Sequence, residues 1–170
     1  MKSITLLLTL LLGAGVPEAQ KTTQTIYKCL PCGYECDKAT YTSPGKCEHC
    51  QMALVPASTI TFKEVSPADI CKYISRHPQT VLLDVRTKTE YEGKANPDFG
   101  TLRNSINIPI QELEQRISEL EKYKGREILV FCSHSHRSPQ AAYMLTQRGF
   151  NKVVNMSGGM SVLQDTNCKK

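Results

Sequence analysis

The chain has 170 residues, 40% of them hydrophobic and 22% charged, with eight Cys, no Trp and a formal charge of +5. That length suits one ordinary domain with at most a small appendage, and the balance of apolar and charged residues excludes collagen-like, coiled-coil and wholly disordered chains. The positive excess is scattered and aromatics are sparse, which leaves no nucleic-acid footprint.

In chain order, Lys2 precedes the apolar run Ile4–Leu12, and small residues follow. This is the layout of a secretory signal peptide over residues 1–19, with cleavage expected after Ala19. The run is shorter than the roughly 18 apolar residues that span a bilayer, so no membrane span is expected after cleavage. The expected location is exported, either periplasmic or secreted, where disulfides are allowed. Cleavage removes Lys2 and Glu18 together and leaves the net charge unchanged.

Residues 26–57 are rich in Cys, Gly and Pro and poor in aliphatic side chains. Cys29-x2-Cys32 and Cys47-x2-Cys50 form two pairs with 14 residues between them. Two such turns can direct four thiolates at one ion, and a soft thiolate set suits Zn or Cu(I). A segment of this size buries little core, so a metal or disulfides must hold it together, and disulfides are the competing reading. Cys36 and His49 could add a fifth donor, replace one of the four ligands or stand as bystanders. Tyr27-x-Cys29 and the stretch Pro44-Gly45-Lys46-Cys47-Glu48-His49-Cys50-x-Met52-x-Leu54 resemble the small heavy-metal-binding modules of metal-handling bacterial proteins. The segment departs from them at Pro31-Cys32, where Met-His is common, and at Gln51, where Gly is usual.

Beyond residue 58 strands and helices alternate. A linker over 58–65 leads into a first strand, with Ile60, Phe62 and Val65 facing inward. Ser66-Pro67-Ala68-Asp69 predicts a helix start capped by Ser66. Thr80–Val85 is a continuous apolar run, as in a strand covered on both sides, and Ser105–Ile108 is a short strand. Ile110, Leu113, Ile117 and Leu120 repeat at helical spacing and stop at Gly125. Glu127–Phe131 is the most strand-like stretch. A helix over Ser138–Arg148, a strand over Lys152–Met156 and a turn or helix over Met160–Gln164 complete the order. The alternation predicts an α/β fold with a parallel sheet flanked by helices.

Cys132 ends the strand Glu127–Phe131 and opens the loop Ser133-His134-Ser135-His136-Arg137-Ser138. Loop N–H groups, a helix start and the charge of Arg137 would favour a thiolate and an anion beside it. The bland alternative is an inert buried Cys. Here the chain resembles the rhodanese (sulfurtransferase) domain over residues 60–166, through Leu83-Asp84-Val85-Arg86, Glu90-Tyr91, Ile106-Asn107-Ile108-Pro109, Cys132-x4-Arg137-Ser138 and Gly158-Gly159-Met160. The resemblance implies a five-stranded parallel sheet and a Cys132 persulfide that accepts sulfane sulfur from a donor such as thiosulfate. A thiol or a cyanide-like nucleophile would then take it. It also implies that Arg137 and Ser133, His134, Ser135 and His136 bind the donor's anionic end, that Ser138 caps the helix or hydrogen-bonds the sulfur, and that Asp84 orders the loop or pairs with an Arg. No cofactor is required for the transfer. The four-residue spacing between Cys132 and Arg137 is one shorter than in the phosphatases of this fold. The loop also lacks the Gly common in the family. Arg86 reads as a solvated strand-end charge, Cys71 as buried packing, and Cys168 as an exposed thiol open to intermolecular pairing. The rival to an enzyme is a metal-binding or sulfane-carrying sensor on the same scaffold.

Overall fold

The computed structural model describes residues 24–170; the signal-peptide expectation falls on residues outside that range. Five short parallel strands form the central sheet: β3 (Lys63–Val65), β4 (Val81–Asp84), β5 (Ile106–Asn107), β6 (Ile128–Phe131) and β7 (Val153–Met156), in the order β3-β7-β6-β4-β5. The three inner strands are buried along their whole length, which is why Val81-Leu82-Leu83 and Ile128–Phe131 read as unbroken apolar runs. A strand covered on both faces has no polar side to alternate with.

The pleat sends alternate residues to opposite faces. Ile128, Val130 and Cys132 join Leu83, Val85 and Val153 in one apolar cluster, together with Leu113, Leu120, Ala141 and Leu145. Those partners come from α3 (Ile110–Arg116), the 3-10 turn that prolongs it, and α4 (Arg137–Gln147). Leu129, Phe131, Val154 and Met156 face the other way, against Ile70 and Cys71 of α1 (Ile70–Arg76). α1 begins four residues after the sequence-expected cap. Ser66 instead accepts a hydrogen bond from the Ala68 N–H at 3.3 Å, closing a separate turn before the helix. A further short helix, α2 (Lys88–Tyr91), carries a capping box between Thr87 and Glu90. Among the described residues no helix is long and apolar enough to cross a membrane.

The Cys-rich segment contributes β1 (Tyr27–Lys28) paired antiparallel with β2 (Val55–Pro56). Its Cys29, Leu30, Cys32, Cys47, Met52 and Leu54 belong to the same apolar cluster as the α3–α4 face of the sheet. Thr59 Oγ1 lies 3.0 Å from the Tyr143 hydroxyl of α4. The segment is therefore packed onto the sheet domain through side chains.

Cys71 and Cys168 form a disulfide, with Cα atoms 5.2 Å apart and a sequence separation of 97. This corrects the readings of Cys71 as simple packing and of Cys168 as a free exposed thiol: the tail turns back onto α1. It is held there also by backbone bonds from Arg103 N–H to Cys168 O at 2.9 Å and from Lys170 N–H to Thr101 O at 2.8 Å. Cross-linking ends this far apart restricts the unfolded chain strongly, so Cys168→Ser is expected to lower the unfolding free energy by about 3–5 kcal/mol. Urea denaturation of the oxidised protein and the variant checks this; coincident curves would show that the bond contributes nothing.

Candidate functional site

Cys132 follows the last residue of β6 and is 1% exposed. Its thiol faces Ser138 Oγ at 3.4 Å. Ser138 lies inside α4, whose N-cap position is His136, so its hydroxyl faces the sulfur and does not cap the helix. Between these residues the chain makes a tight arc. Ser135 takes φ +57°, the left-handed conformation that Gly adopts most cheaply. The arc thus closes in spite of its lack of Gly. Ser135 is fully buried, and its hydroxyl has no hydrogen-bond partner among the described residues. Nor do the backbone N–H groups of Ser133, His134, Ser135 and His136 donate to any acceptor there. Ser133 and Ser135 are buried, and a buried donor left free is costly unless something else accepts from it. The arc is therefore a set of donors around the strand end, continued by the first turn of α4, and suits an anion or a polarisable sulfur.

Two supports hold the arc. The first is Glu90 of α2, which is 9% exposed. It accepts from both terminal nitrogens of Arg137, each at 2.7 Å, from Ser133 Oγ at 2.9 Å, and from the Thr87 N–H and hydroxyl at 2.9 and 2.8 Å. The Arg137 guanidinium holds the Glu90 carboxyl far below the usual carboxylate range; burial opposes this, and the Thr87 and Ser133 donors add to it. Glu90 in turn pushes Arg137 up. Sequence reasoning placed Arg137 on the donor's anionic end. In the structure both of its terminal nitrogens pair with the Glu90 carboxylate, which ties the arc to α2. Glu90 was assigned no role from sequence, although the spacing Thr87-x2-Glu90 is a capping-box signal.

The second support is the turn after β7. The N–H groups of Met160 and Ser161 donate to the carbonyls of Cys132 and Ser133 at 2.8 and 3.0 Å. A Cβ placed on Gly159 would fall 2.4 Å from Ser133 O and 2.6 Å from Cys132 O. Only Gly allows this approach.

Asp84 lies on β4, and its partners are Arg86, Thr101 Oγ1 at 2.9 Å, and no residue of the Cys132 arc. Arg86 is fully buried and forms a forked pair with Asp84, with Nη2 also donating to Gly100 O at 2.8 Å. This overturns the solvated reading of Arg86. The pair anchors the segment whose Phe99 meets the exposed His134 edge-on, at 5.6 Å between ring centroids. His136 faces Tyr34 at 5.7 Å.

The second cluster is in the Cys-rich segment. The sulfurs of Cys29, Cys32, Cys36 and Cys50 all lie within 4.8 Å of one another. Cys29 and Cys50 are 3.0 Å apart, and Cys32 and Cys36 3.4 Å. A tetrahedral S4 site with 2.3 Å bonds would place its sulfurs about 3.8 Å apart, so the set fits a thiophilic ion after small adjustments. Cys47, fully buried, was expected from its spacing to be a ligand, but the four-sulfur group does not include it: Cys36 stands there instead. Cys36 enters the set because the turn at Glu35–Lys38 brings its sulfur to within 3.4 Å of Cys32. Burial pushes the Cys29 and Cys32 thiols up, and their neighbouring thiols push Cys29 further. For Cys47 burial is outweighed by the N–H groups of Cys50 and His49 and by the Cys50 and Cys29 thiols, which bring it down to about 7. That donation to the first sulfur of a Cys-x2-Cys turn is preorganised for a ligated thiolate. The turn closes at Gln51, with φ +60°, where the related modules have Gly. Asp37 accepts from the N–H groups of Cys32 and Gly33 and fixes the other turn.

Comparison with known proteins matches residues 67–166 to the model of the rhodanese-like domain. A tRNA uridine(34) hydroxylase from Cytophaga hutchinsonii is 26% identical over 115 residues, which is 66% of this chain and 35% of that protein. A sulfurtransferase from Allochromatium vinosum is 27% identical over 97 residues, 57% of this chain and 83% of that one. The crystal structure of a rhodanese-like domain protein from Staphylococcus aureus superposes with a TM-score of 0.52 at 20% identity. It covers 64% of this chain and 97% of that one, and supports the fold alone. The chain thus spans about a third of the hydroxylase's length and most of the sulfurtransferase's.

Proposed function

Since this chain belongs to the rhodanese-like domain family, whose model covers 67–166, we propose that it moves sulfane sulfur through a persulfide on Cys132. One observation carries this reading: the buried Cys132 sits at the strand end inside an arc whose N–H groups at 133–136 have no acceptor among the described residues. The Cys132 thiolate attacks the outer sulfur of a donor such as thiosulfate. The donor's S–S bond breaks, and sulfite departs with the bonding electrons. The arc's N–H groups and the Ser135 hydroxyl hold the anionic end and then the persulfide, while Ser138 Oγ touches the Cys132 sulfur. An acceptor thiolate or cyanide attacks the outer persulfide sulfur and returns Cys132 as thiolate. Arg137 and Glu90 position the arc. The spacing from Cys132 to Arg137 makes a cradle for one sulfur rather than a tetrahedral phosphate.

The thiol-rich segment is read as a site for Zn2+ or Cu(I), held by Cys29, Cys32, Cys36 and Cys50. Bound there, the ion would cross-link a piece with little core of its own. The sequence of residues 1–19 and the Cys71–Cys168 disulfide both support an exported, oxidising location.

Thiosulfate incubated with the pure protein is expected to release one sulfite per chain in a burst and to raise the protein mass by one sulfur. Cys132→Ser is expected to abolish both. Sulfite release unchanged in that variant would overturn the assignment.

A further inference from the structure

The two thiol centres share one short turn. Cys32 is one of the four grouped sulfurs, and Tyr34 follows it by two residues in the same turn. The residue between them, Gly33, has φ +85° and lies against the turn after β7: a Cβ there would meet Gly158 N at 3.7 Å and Ser157 Cβ at 3.9 Å. That same turn donates to the carbonyls of Cys132 and Ser133. Tyr34 places its ring between His49, beside Cys50, at 5.5 Å, and His136 of the catalytic arc at 5.7 Å. Pro31 O accepts from Asn155 Nδ2 of β7 at 3.5 Å. Every residue from Pro31 to Tyr34 therefore touches either the thiol cluster or the structure that holds the Cys132 arc.

We infer that a thiophilic metal ion bound by this cluster is an effector of the sulfur site, acting through Gly33 and Tyr34 as a wall on the Cys132 arc. The inference rests on the two site readings above and adds a coupling between them. An ion at Cys32 fixes the turn in which Gly33 packs on the turn after β7 that holds the arc and Tyr34 faces His136 of the arc. With the ion removed, that turn keeps its bonds to Asp37 and Asn155 but loses the tie to the other three sulfurs, and the wall over His136 loosens. By linkage, whatever occupies the Cys132 arc changes metal affinity by the same factor.

The test is the initial rate of Cys132 alkylation by iodoacetamide, read on its own peptide by mass spectrometry, in full-length protein loaded with Zn2+ and in protein stripped by a chelator. Zinc stoichiometry is measured alongside. The Cys132 thiol is buried, so the rate reports opening of the arc and needs no sulfur donor. Alkylation is expected to be at least about fivefold slower with zinc bound. Tyr34→Ala is expected to raise the zinc-bound rate to near the stripped rate with zinc stoichiometry retained, while Tyr34→Phe, which keeps the ring against His136, behaves as the parent. Equal rates with and without zinc, a difference that survives Tyr34→Ala, or failure to take up zinc would each overturn the inference. Failure of the sulfur-transfer reading would show separately, as absence of a sulfur adduct while the alkylation rates still differ.

Discussion

Gly159→Ala is expected to slow sulfur loading at Cys132 by about 100-fold, the effect of displacing a reacting group by around an ångström. At φ +73° and ψ −168° the residue occupies backbone space that side chains avoid, which costs about 1–3 kcal/mol for Ala. The larger effect is local. A methyl group 2.4 Å from Ser133 O must push the arc away from the turn, and the two hydrogen bonds that register Cys132 and Ser133 go with it. Gly158→Ala separates the two causes. Gly158 has a similar φ of +71°, but its added Cβ would meet the Val162 side chain at 2.7 Å and not the arc. A comparable loss of stability with a much smaller loss of rate is expected there. Equal rates for the two variants would mean that the turn does not set the arc's position.

Glu90→Gln is expected to lower unfolding free energy by about 2–3 kcal/mol, somewhat below the 3–5 kcal/mol for breaking a fully buried pair, because Arg137 keeps 27% side-chain exposure. The amide retains one acceptor oxygen. Its NH2 group, however, faces a nitrogen of Arg137, so one branch of the fork is lost. The pH dependence gives a second readout. The folded-state pKa of Glu90 is depressed, so its contribution is fully present above the unfolded carboxylate value of about 4.3 and is lost as pH falls toward the folded value. Thermal melts of parent and variant should differ most above about pH 5 and converge below about pH 4. A gap that persists unchanged at pH 3 would show that the ionised carboxylate is not what braces the arc.

The parts of this molecule legible in sequence are those written locally. The inner strands are continuous apolar runs, Cys132 falls at the end of one, and the five-stranded parallel sheet follows from the alternation and the family resemblance. What escaped was set by distant partners. Glu90 meets Ser133 and Arg137 across 43 and 47 positions, and no local pattern announces that. Arg86 looked solvated because strand-end charges commonly are, yet Asp84 lies two residues away on the same face of the strand, and that spacing was a usable signal for the buried fork. The Cys71–Cys168 disulfide joins residues 97 positions apart, a separation with no spacing signature. Cys36 stood outside both Cys-x2-Cys pairs and entered the cluster only because the turn at Glu35–Lys38 folds it back on Cys32. For the Gly-free arc, Ser135 adopts the left-handed conformation itself, and its burial together with Ser133 and Ser138 shows how the surroundings hold it.

Cys132, and not the thiol cluster of the Cys-rich segment, is expected to carry the sulfur. Protein loaded with a sulfane donor, trapped by alkylation and digested, places the extra sulfur on a single peptide. It is expected on the peptide containing Cys132, and to be discharged when a thiol acceptor is added. Sulfur found on the peptides of Cys29, Cys32, Cys36, Cys47 or Cys50, with the Cys132 peptide unmodified, would contradict it.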